Sequence, residues 1–223
     1  MKIDAVIFDM DGVIFDSERV SKRCWRVVAT ELGIPDSELK PAMLEITGAN
    51  TRKAREVLTR RFSGYEGFEY DEFRKNYEDV YNGCVERDEV PLKPFVLELL
   101  GWLKEREIRT ALASSTNREK VLRQLERARI RECFDSILCG DQVERGKPDP
   151  EIYIKSAEAL GADPERTYAV EDSYNGIRSA KAAGLHPIMV PDLLPPTEEM
   201  NDLAEIILPD LGAVRDYLEE RLG

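Results

Sequence analysis

The sequence predicts an α/β fold: a doubly wound parallel sheet with an inserted helical bundle. A short apolar run at residues 5–8 has the character of a buried strand. From about residue 90 onward, apolar runs of strand length alternate with stretches of helical periodicity. Between these regions, residues from about 17 to 87 are almost purely helical in pattern. Alternating strands and helices are typical of a parallel sheet covered by helices.

The helical region follows the first predicted strand, at residues 4–9. Apolar side chains recur there at helical spacing in three runs: Val20, Cys24, Val27, Val28 and Leu32, then Ala54, Val57, Leu58 and Phe62, then Phe73, Tyr77, Val80, Tyr81 and Cys84. Glycine-rich breaks at residues 33–35 and 63–67 separate them. We therefore expect a helical cap domain at residues 17–87, inserted into a core formed by residues 1–16 and 88–223.

Four further strands are predicted, at residues 110–113, 136–139, 167–170 and 187–190. The helices between them carry apolar faces, for example Val96, Leu99, Leu100 and Leu103, or Val121, Leu122, Leu125 and Ala128. A proline-rich connector at residues 191–196 precedes a closing helix with Leu211, Val214, Leu218 and Leu222.

Composition narrows the possible functions. The chain has 223 residues, 42% hydrophobic residues and a formal net charge of −12, which argues for a folded core and against nucleic-acid binding. The negative net charge does not exclude binding of a phosphorylated small molecule, because a bound Mg²⁺ and local cations make the electrostatic potential inside a pocket positive. No apolar run approaches the roughly 20 residues that span a bilayer. We expect a cytoplasmic monomer without a membrane partner.

Cysteine and histidine chemistry is not favoured by the pattern. The cysteines, Cys24, Cys84, Cys133 and Cys139, form no Cys-x-x-Cys pair, so we expect all of them to be reduced. The single histidine, His186, precedes a proline in a predicted loop. A Ser-His-Asp hydrolase or a histidine-based metal site is therefore not supported.

Two aspartates, Asp9 and Asp11, directly follow the first predicted strand. Carboxylates placed this close repel each other unless a cation neutralises them. The carboxyl edge of a parallel sheet is also where α/β proteins bind ligands. The pair therefore indicates a divalent metal site that includes a nucleophile. A strand that ends in an ordinary polar turn is the alternative.

Polar groups suited to the same chemistry follow three more strands. Residues 114–117 (Ser-Ser-Thr-Asn) offer hydroxyl and backbone N–H donors to an oxyanion, or simply cap the next helix. Lys147 lies between glycine and proline, which suits a fixed phosphate-binding charge, although most lysines are merely solvated. Glu171 and Asp172 form a second acidic pair, and Asp172 or Ser173 is equally suited to a helix N-cap.

These motifs in this order resemble the haloacid dehalogenase superfamily, and more narrowly the branch with β-phosphoglucomutase and small sugar-phosphate phosphatases. The resemblance covers essentially the whole chain and implies a Rossmann-like core with a helical cap. It is carried by Asp9-Met10-Asp11-Gly12-Val13, Ala113-Ser114-Ser115, Gly146-Lys147-Pro148, Glu171-Asp172-Ser173, Asn175-Gly176-Ile177 and Ala182-Ala183-Gly184.

The resemblance implies roles for the two aspartates of the first motif. Asp9 is the implied nucleophile, which forms an aspartyl-phosphate. Asp11 is the implied general acid and then general base. Dehalogenases of the superfamily attack carbon without a metal and typically lack the second aspartate, so Asp11 favours phosphoryl transfer.

The remaining motifs imply a metal ion and a phosphate cradle. Mg²⁺ is expected to be held by Asp9, the Asp11 carbonyl and Asp172, with Glu171 in or near the coordination shell. The phosphoryl oxygens are expected to be held by Ser114, the backbone at Ser115 and Lys147. The named residues are all in the part of the sequence assigned to the core.

The substrate is less well defined than the chemistry. Phosphomutases of this branch carry a histidine in the first cap helix, whereas this chain has Ser21 or its neighbour there, so hydrolysis is favoured over mutase activity. A non-catalytic binding protein on the same fold is the third possibility. Candidate specificity residues in the cap are Glu18, Asn50, Arg52 and Lys53, for which an exposed charged face is the alternative.

Overall fold

The computed structural model describes residues 2–46 and 51–222. The chain divides into two compact units. Met1–Asp16 and Pro91–Gly223 form one, here called the α/β unit, and Ser17–Val90 form the other, here called the helical unit.

The α/β unit contains one six-stranded sheet in the order β3-β2-β1-β4-β5-β6. Every neighbouring pair of strands is parallel, which confirms the predicted fold class. The strands are β1 (Ala5–Phe8), β2 (Arg109–Ser114), β3 (Ser136–Cys139), β4 (Thr167–Glu171), β5 (His186–Met189) and β6 (Ile206–Ile207). The sequence did not predict β6, because two apolar residues are too short to form a recognisable pattern.

Ten α-helices lie in the described parts of the chain. The helical unit contains α1 (Ser17–Glu31), α2 (Asp36–Ile46), α3 (Thr51–Phe62) and α4 (Tyr70–Glu86). The α/β unit contains α5 (Val96–Glu105), α6 (Arg118–Arg127), α7 (Glu151–Leu160), α8 (Tyr174–Ala182), α9 (Glu198–Leu203) and α10 (Leu211–Leu222). Short 3₁₀ helices span Arg131–Cys133, Gly140–Gln142 and Pro164–Arg166. The helix α9, which follows the connector at residues 191–196, was not predicted.

Helices cover both faces of the sheet. On one face, Ala5 and Ile7 of β1 belong to the same buried cluster as Ile152 and Tyr153 of α7. On the other face, the ring of Tyr168 in β4 lies 6.2 Å from the ring of Tyr217 in α10. Burial on both faces explains why the strands appear in the sequence as nearly continuous apolar runs.

The helical unit has an aromatic core of its own. The rings of Trp25 in α1 and Tyr77 in α4 stack with their centroids 4.0 Å apart, and Phe73 lies 5.3 Å from Trp25. Phe62 of α3 packs edge-on against Phe73 at 6.2 Å. These large side chains provide the buried apolar area that allows four short helices to pack together.

His186 does not lie in a loop, as the sequence suggested, but is the first residue of β5. Its Nε2 atom is 2.9 Å from the carbonyl oxygen of Glu165. This position is at the amino end of the strand, opposite to the edge where the candidate site lies.

Within residues 2–46 and 51–222, no helix has both the length and the apolar character needed to cross a membrane.

Candidate active site

The candidate site lies at the carboxyl edge of the sheet, where β1 ends at Asp9. The backbone N–H of Asp9 donates to the Val170 carbonyl at 3.0 Å, which aligns the end of β1 with the end of β4. Asp9 is 8% exposed, so its carboxyl group is held almost entirely out of water. A carboxylate in such a place requires a compensating charge.

Lys147 supplies that charge. Its Nζ atom lies 2.6 Å from Asp9 Oδ1 and 2.6 Å from Glu171 Oε1, and donates to the Ala113 carbonyl at 2.9 Å. The side chain of Lys147 is 5% exposed. One ammonium thus joins the ends of β1, β2 and β4, and it is not the solvated lysine that the sequence left as an alternative.

Asp172 completes an acidic cluster with Asp9 and Glu171. One carboxylate oxygen from each of these residues lies within 4.8 Å of the other two. Oxygen donors converging at this spacing are the set that Mg²⁺ prefers. Glu171 is the least open of the three, because its carboxylate accepts from Lys147, from the Tyr153 hydroxyl at 2.8 Å and from the Ser173 hydroxyl at 3.0 Å.

Burial and neighbouring charges set the pKa values of Asp9 and Lys147 in opposite senses. Burial raises the pKa of Asp9 to about 8, opposed by Lys147 and increased further by Glu171 and Asp11. Burial alone would lower the pKa of Lys147, but Asp9 and Glu171 together raise it above its usual range. The lysine therefore stays charged, and a further cation beside Asp9 would favour the ionised form of its carboxyl group.

Glycine allows the motifs to approach each other closely. Gly12 has a φ of +81°, and a Cβ there would overlap the Asp172 carboxylate, with Asp172 Cγ at 2.8 Å. A Cβ on Gly176 in α8 would overlap the Glu171 carboxyl group. At both glycines the backbone therefore packs directly against a carboxylate of the acidic cluster, and any larger residue would displace that carboxylate.

Asp11 accepts a hydrogen bond from another loop of the site. The Thr116 hydroxyl, in the turn after β2, donates to Asp11 Oδ2 at 3.0 Å. This hydrogen bond brings the loop after β1 and the loop after β2 together. It also directs one oxygen of the proposed general acid, in a residue that is half-buried.

The proposed phosphate-binding serines lie at the end of β2. Ser114 is fully buried, and its hydroxyl oxygen accepts from the Thr116 N–H at 3.1 Å, whereas Ser115 is exposed. Asn117, not a serine, caps α6 by accepting from the Glu119 N–H at 3.0 Å. Of residues 114–117, Asn117 is therefore the N-cap of α6, and Ser114 and Ser115 stay candidates for phosphate binding.

Ser173 does cap a helix. Its hydroxyl oxygen accepts from the Gly176 N–H at 3.0 Å at the start of α8. Asp172 does not have this function, and it lies in the acidic cluster instead. The sequence had left both residues open to either role.

The candidate specificity residues lie in the helical unit. Glu18 is half-buried in α1, while Arg52 and Lys53 are exposed in α3, where Lys53 Nζ is 3.4 Å from Glu56 Oε1. Asn50 lies outside the described residues. Their role in substrate recognition stays a prediction.

Comparison with known proteins agrees with this geometry. The family model for haloacid dehalogenase-like hydrolases matches residues 3–184, which include the ends of β1, β2 and β4 and the Lys147 loop. The chain belongs to this family. It is accordingly an enzyme of the haloacid dehalogenase-like hydrolases, and the predicted family is confirmed.

Named relatives cover most of the chain. The chain is 36% identical over 188 residues to the phosphorylated carbohydrates phosphatase of Thermotoga maritima, and the aligned part covers 83% of this chain and 84% of that phosphatase. It is 32% identical over 192 residues to the β-phosphoglucomutase of Bacillus subtilis, with 83% and 82% covered. The crystal structure of CbbY from Rhodobacter sphaeroides in complex with phosphate superposes with a TM-score of 0.77 at 28% identity, covering 95% and 96%.

Sequence reasoning missed two contacts in this hydrolase, and the first is made by Tyr153 of α7. Tyr153 is fully buried, its hydroxyl donates to Glu171, and Lys147 Nζ lies 5.0 Å from its ring centroid. In the sequence it is indistinguishable from an apolar core position on a helix face. Thr116 was recognised as a hydroxyl donor, but its partner Asp11 was not, because that contact joins two distant loops.

Tyr153→Phe removes only the hydroxyl and keeps the ring beneath Lys147. Glu171 then loses one donor, and we expect a stability loss of about 1–2 kcal/mol together with weaker Mg²⁺ binding. Chemical denaturation and Mg²⁺ titration measure the two effects. Tyr217→Phe is the matched control, because its hydroxyl also donates to a carboxylate, Glu205 Oε1, at 3.3 Å. Unchanged Mg²⁺ affinity in Tyr153→Phe would contradict the supporting role.

Proposed function

We propose that this enzyme is a Mg²⁺-dependent phosphatase that hydrolyses a small phosphorylated metabolite, most simply a sugar phosphate, through an aspartyl-phosphate. The observation that carries the proposal is the buried Asp9 carboxylate held 2.6 Å from Lys147 beside Glu171 and Asp172. The Thermotoga maritima relative, a phosphorylated carbohydrates phosphatase, supports the substrate class.

The chemistry consists of two displacements at phosphorus. In the first, an oxygen of Asp9 forms a bond to phosphorus while the bond to the leaving oxygen breaks, and Asp11 donates a proton to that oxygen. In the second, water attacks the same phosphorus, Asp11 takes up its proton, and the bond to Asp9 breaks. Phosphate and the free Asp9 carboxylate result, and no other reactant is consumed.

Lys147 has two tasks in this sequence. Its ammonium opposes the effect of burial on the pKa of Asp9 and so favours the ionised form that a nucleophile requires, and it is placed to attract an equatorial phosphoryl oxygen. Ser114 and the backbone N–H of Ser115 are proposed to hold the other oxygens. Thr116 directs Asp11, because its hydroxyl donates to Asp11 Oδ2.

Asp9, Asp172 and the Asp11 carbonyl would hold Mg²⁺, with Glu171 in or next to its shell. Two of the three carboxylates in this cluster contact the Lys147 ammonium, and one oxygen from each of the three lies within 4.8 Å of the others, so the donor set fits a divalent cation. A bound Mg²⁺ supplies positive charge to the nucleophile and to the transferring phosphoryl group.

A phosphosugar mutase is the second candidate function, and the 32% identity to the β-phosphoglucomutase of Bacillus subtilis supports it. The absence of any histidine from the helical unit argues for hydrolysis instead. A panel of sugar phosphates assayed for free phosphate tests the proposal. Conversion of β-glucose 1-phosphate to the 6-phosphate without phosphate release would identify a mutase, and no turnover of any substrate would favour a binding protein.

Removal of Mg²⁺ should abolish activity and change the pH dependence of stability. In the folded, metal-free protein the pKa of Asp9 is about 8, whereas its ordinary value, taken for the unfolded chain, is 3.8. Between these pH values the folded protein binds one more proton than the unfolded chain, so its free energy of unfolding falls as the pH rises. Mg²⁺ competes with that proton, and we expect its affinity to rise by up to about tenfold per pH unit below pH 8.

Melting temperatures with Mg²⁺ and with EDTA at pH 5, 6.5 and 8 measure this linkage. The stabilisation by Mg²⁺ should be largest at pH 8, and Ca²⁺ serves as a control for a cation of equal charge but different geometry. An equal effect of Mg²⁺ at all three pH values would contradict the involvement of Asp9.

A further inference from the structure

Two cysteines face each other inside the helical unit. Cys24 of α1 and Cys84 of α4 have their Sγ atoms 3.8 Å apart, and the residues are 0% and 2% exposed. A disulfide requires about 2.05 Å between sulfurs, with side chains directed towards each other. The sulfur atoms are already in van der Waals contact, so side-chain rotation with a small helix adjustment would close the remaining gap.

The surroundings of the two sulfurs differ in charge. Arg23 Nη2 lies 3.5 Å and Arg87 Nη2 lies 3.7 Å from Cys84 Sγ. Glu89 holds both guanidinium groups in this position, at 2.7 Å from Arg23 and 2.6 Å from Arg87. Cys84 is therefore the sulfur of the pair that contacts two cations, with the Glu89 carboxylate between them, and cations favour the thiolate, which is the reactive form of cysteine.

Cys24 has the complementary character. Burial raises the pKa of its thiol to about 12, and the neighbouring Cys84 adds to the rise. Cys24 therefore remains a thiol under ordinary conditions. Of the two contacting sulfurs, Cys84 beside its cations is the better suited to attack an oxidant, and Cys24 is placed to resolve the product as a disulfide.

We propose that Cys24 and Cys84 form an oxidative modification site at which a hydroperoxide converts the two thiols to a disulfide. The Cys84 thiolate attacks the peroxide and breaks its O–O bond, giving a sulfenic acid and hydroxide, which takes up a proton. Cys24 then attacks the sulfenic sulfur and expels its oxygen as water with the Cys24 proton. Two electrons pass from the sulfurs to the peroxide, and two water molecules are released from hydrogen peroxide.

The crosslink would join α1 to α4 through two cysteines that are 60 positions apart in the sequence. The helix α1 begins at Ser17, directly after the first connection between the units, and α4 ends at Glu86, shortly before the second. A disulfide here ties together the helices next to both connections. Closing a loop of this length stabilises a fold by restricting the unfolded chain.

The test uses the full chain, treated with hydrogen peroxide, blocked with N-ethylmaleimide under denaturing conditions and mapped by mass spectrometry without reduction. We expect a Cys24–Cys84 linked peptide, a fall from four to two free thiols, and full reversal by dithiothreitol. Cys133→Ser is the control and should leave the crosslink intact. Oxidation of Cys133 or Cys139 while Cys24 and Cys84 stay reduced would overturn the proposal.

Single variants separate the two roles. In Cys24→Ala, dimedone should trap a sulfenic acid on Cys84, and in Cys84→Ala it should label Cys24 roughly tenfold less. Arg87→Gln, at an exposed side chain that leaves the core unchanged, should slow disulfide formation several-fold. An unchanged rate in Arg87→Gln, or equal labelling of the two cysteines, would overturn the assignment of Cys84 as the attacking thiol.

Discussion

Asp9→Asn is expected to lower phosphate release by about 10⁴-fold or more, because an amide cannot form the phosphoryl-enzyme intermediate. The substitution keeps the shape of the side chain, and its amide oxygen still accepts a hydrogen bond from Lys147. Steady-state assays with a sugar phosphate and with an aryl phosphate both measure the loss. Substrate binding should persist, so a substrate KM or Kd near the wild-type value is part of the expected result.

The stability of Asp9→Asn distinguishes lost chemistry from lost folding. Asp9 lies beside the carboxylates of Glu171 and Asp172, so removing its charge relieves repulsion, and we expect unfolding stability equal to or above that of wild type. Asp202→Asn, at an exposed position in α9, is the matched control and should retain activity within about twofold. Wild-type turnover by Asp9→Asn would exclude Asp9 as the nucleophile.

The fold was predictable because each element has a strong local pattern. The strands β1 to β4 lie where the apolar runs predicted them, and β5 begins one residue earlier, at His186. The elements that were missed, α9 and β6, are short and follow a proline-rich segment, where periodicity has too few residues to be recognised. The assignment of residues 17–87 to a cap domain stays a prediction.

The candidate site was predictable only in part. Sequence order and the parallel-sheet rule were enough to expect that Asp9, Lys147, Glu171 and Asp172 would meet, since parallel strands end at one edge. The partners of those groups were not predictable. Tyr153 resembles a core residue, and the contact of Thr116 with Asp11 depends on how two loops pack.

The structure also changes the interpretation of two polar features. Lys147, which the sequence suggested as a phosphate ligand, has in the structure the contacts of a buried counter-ion, because its ammonium lies against two carboxylates. Cys24 and Cys84 were expected merely to occupy apolar helix faces, and the sequence favoured no redox role. Their sulfur–sulfur contact depends on the pairing of α1 with α4, which no local pattern reveals.

Lys147→Met is the second substitution with a large expected effect, because it removes the ammonium and keeps the unbranched side chain. Asp9 and Glu171 would then be buried without their shared partner, and breaking a buried ion pair in this way costs about 3–5 kcal/mol of unfolding free energy. Phosphate release should fall by about 10²–10³-fold, since a charge aimed at the transferring phosphoryl group is lost.

The two roles of Lys147 can be separated by adding Mg²⁺. A divalent cation beside Asp9 replaces part of the missing charge, so the stability loss in Lys147→Met should be smaller with Mg²⁺ than with EDTA, while activity stays low. Denaturation curves under both conditions measure the first effect, and Lys181→Met, at an exposed position near the end of α8, should change stability by less than about 0.5 kcal/mol. Full activity in a destabilised Lys147→Met protein would mean that Lys147 serves only as a counter-ion to Asp9 and Glu171, and that other groups hold the phosphoryl oxygens.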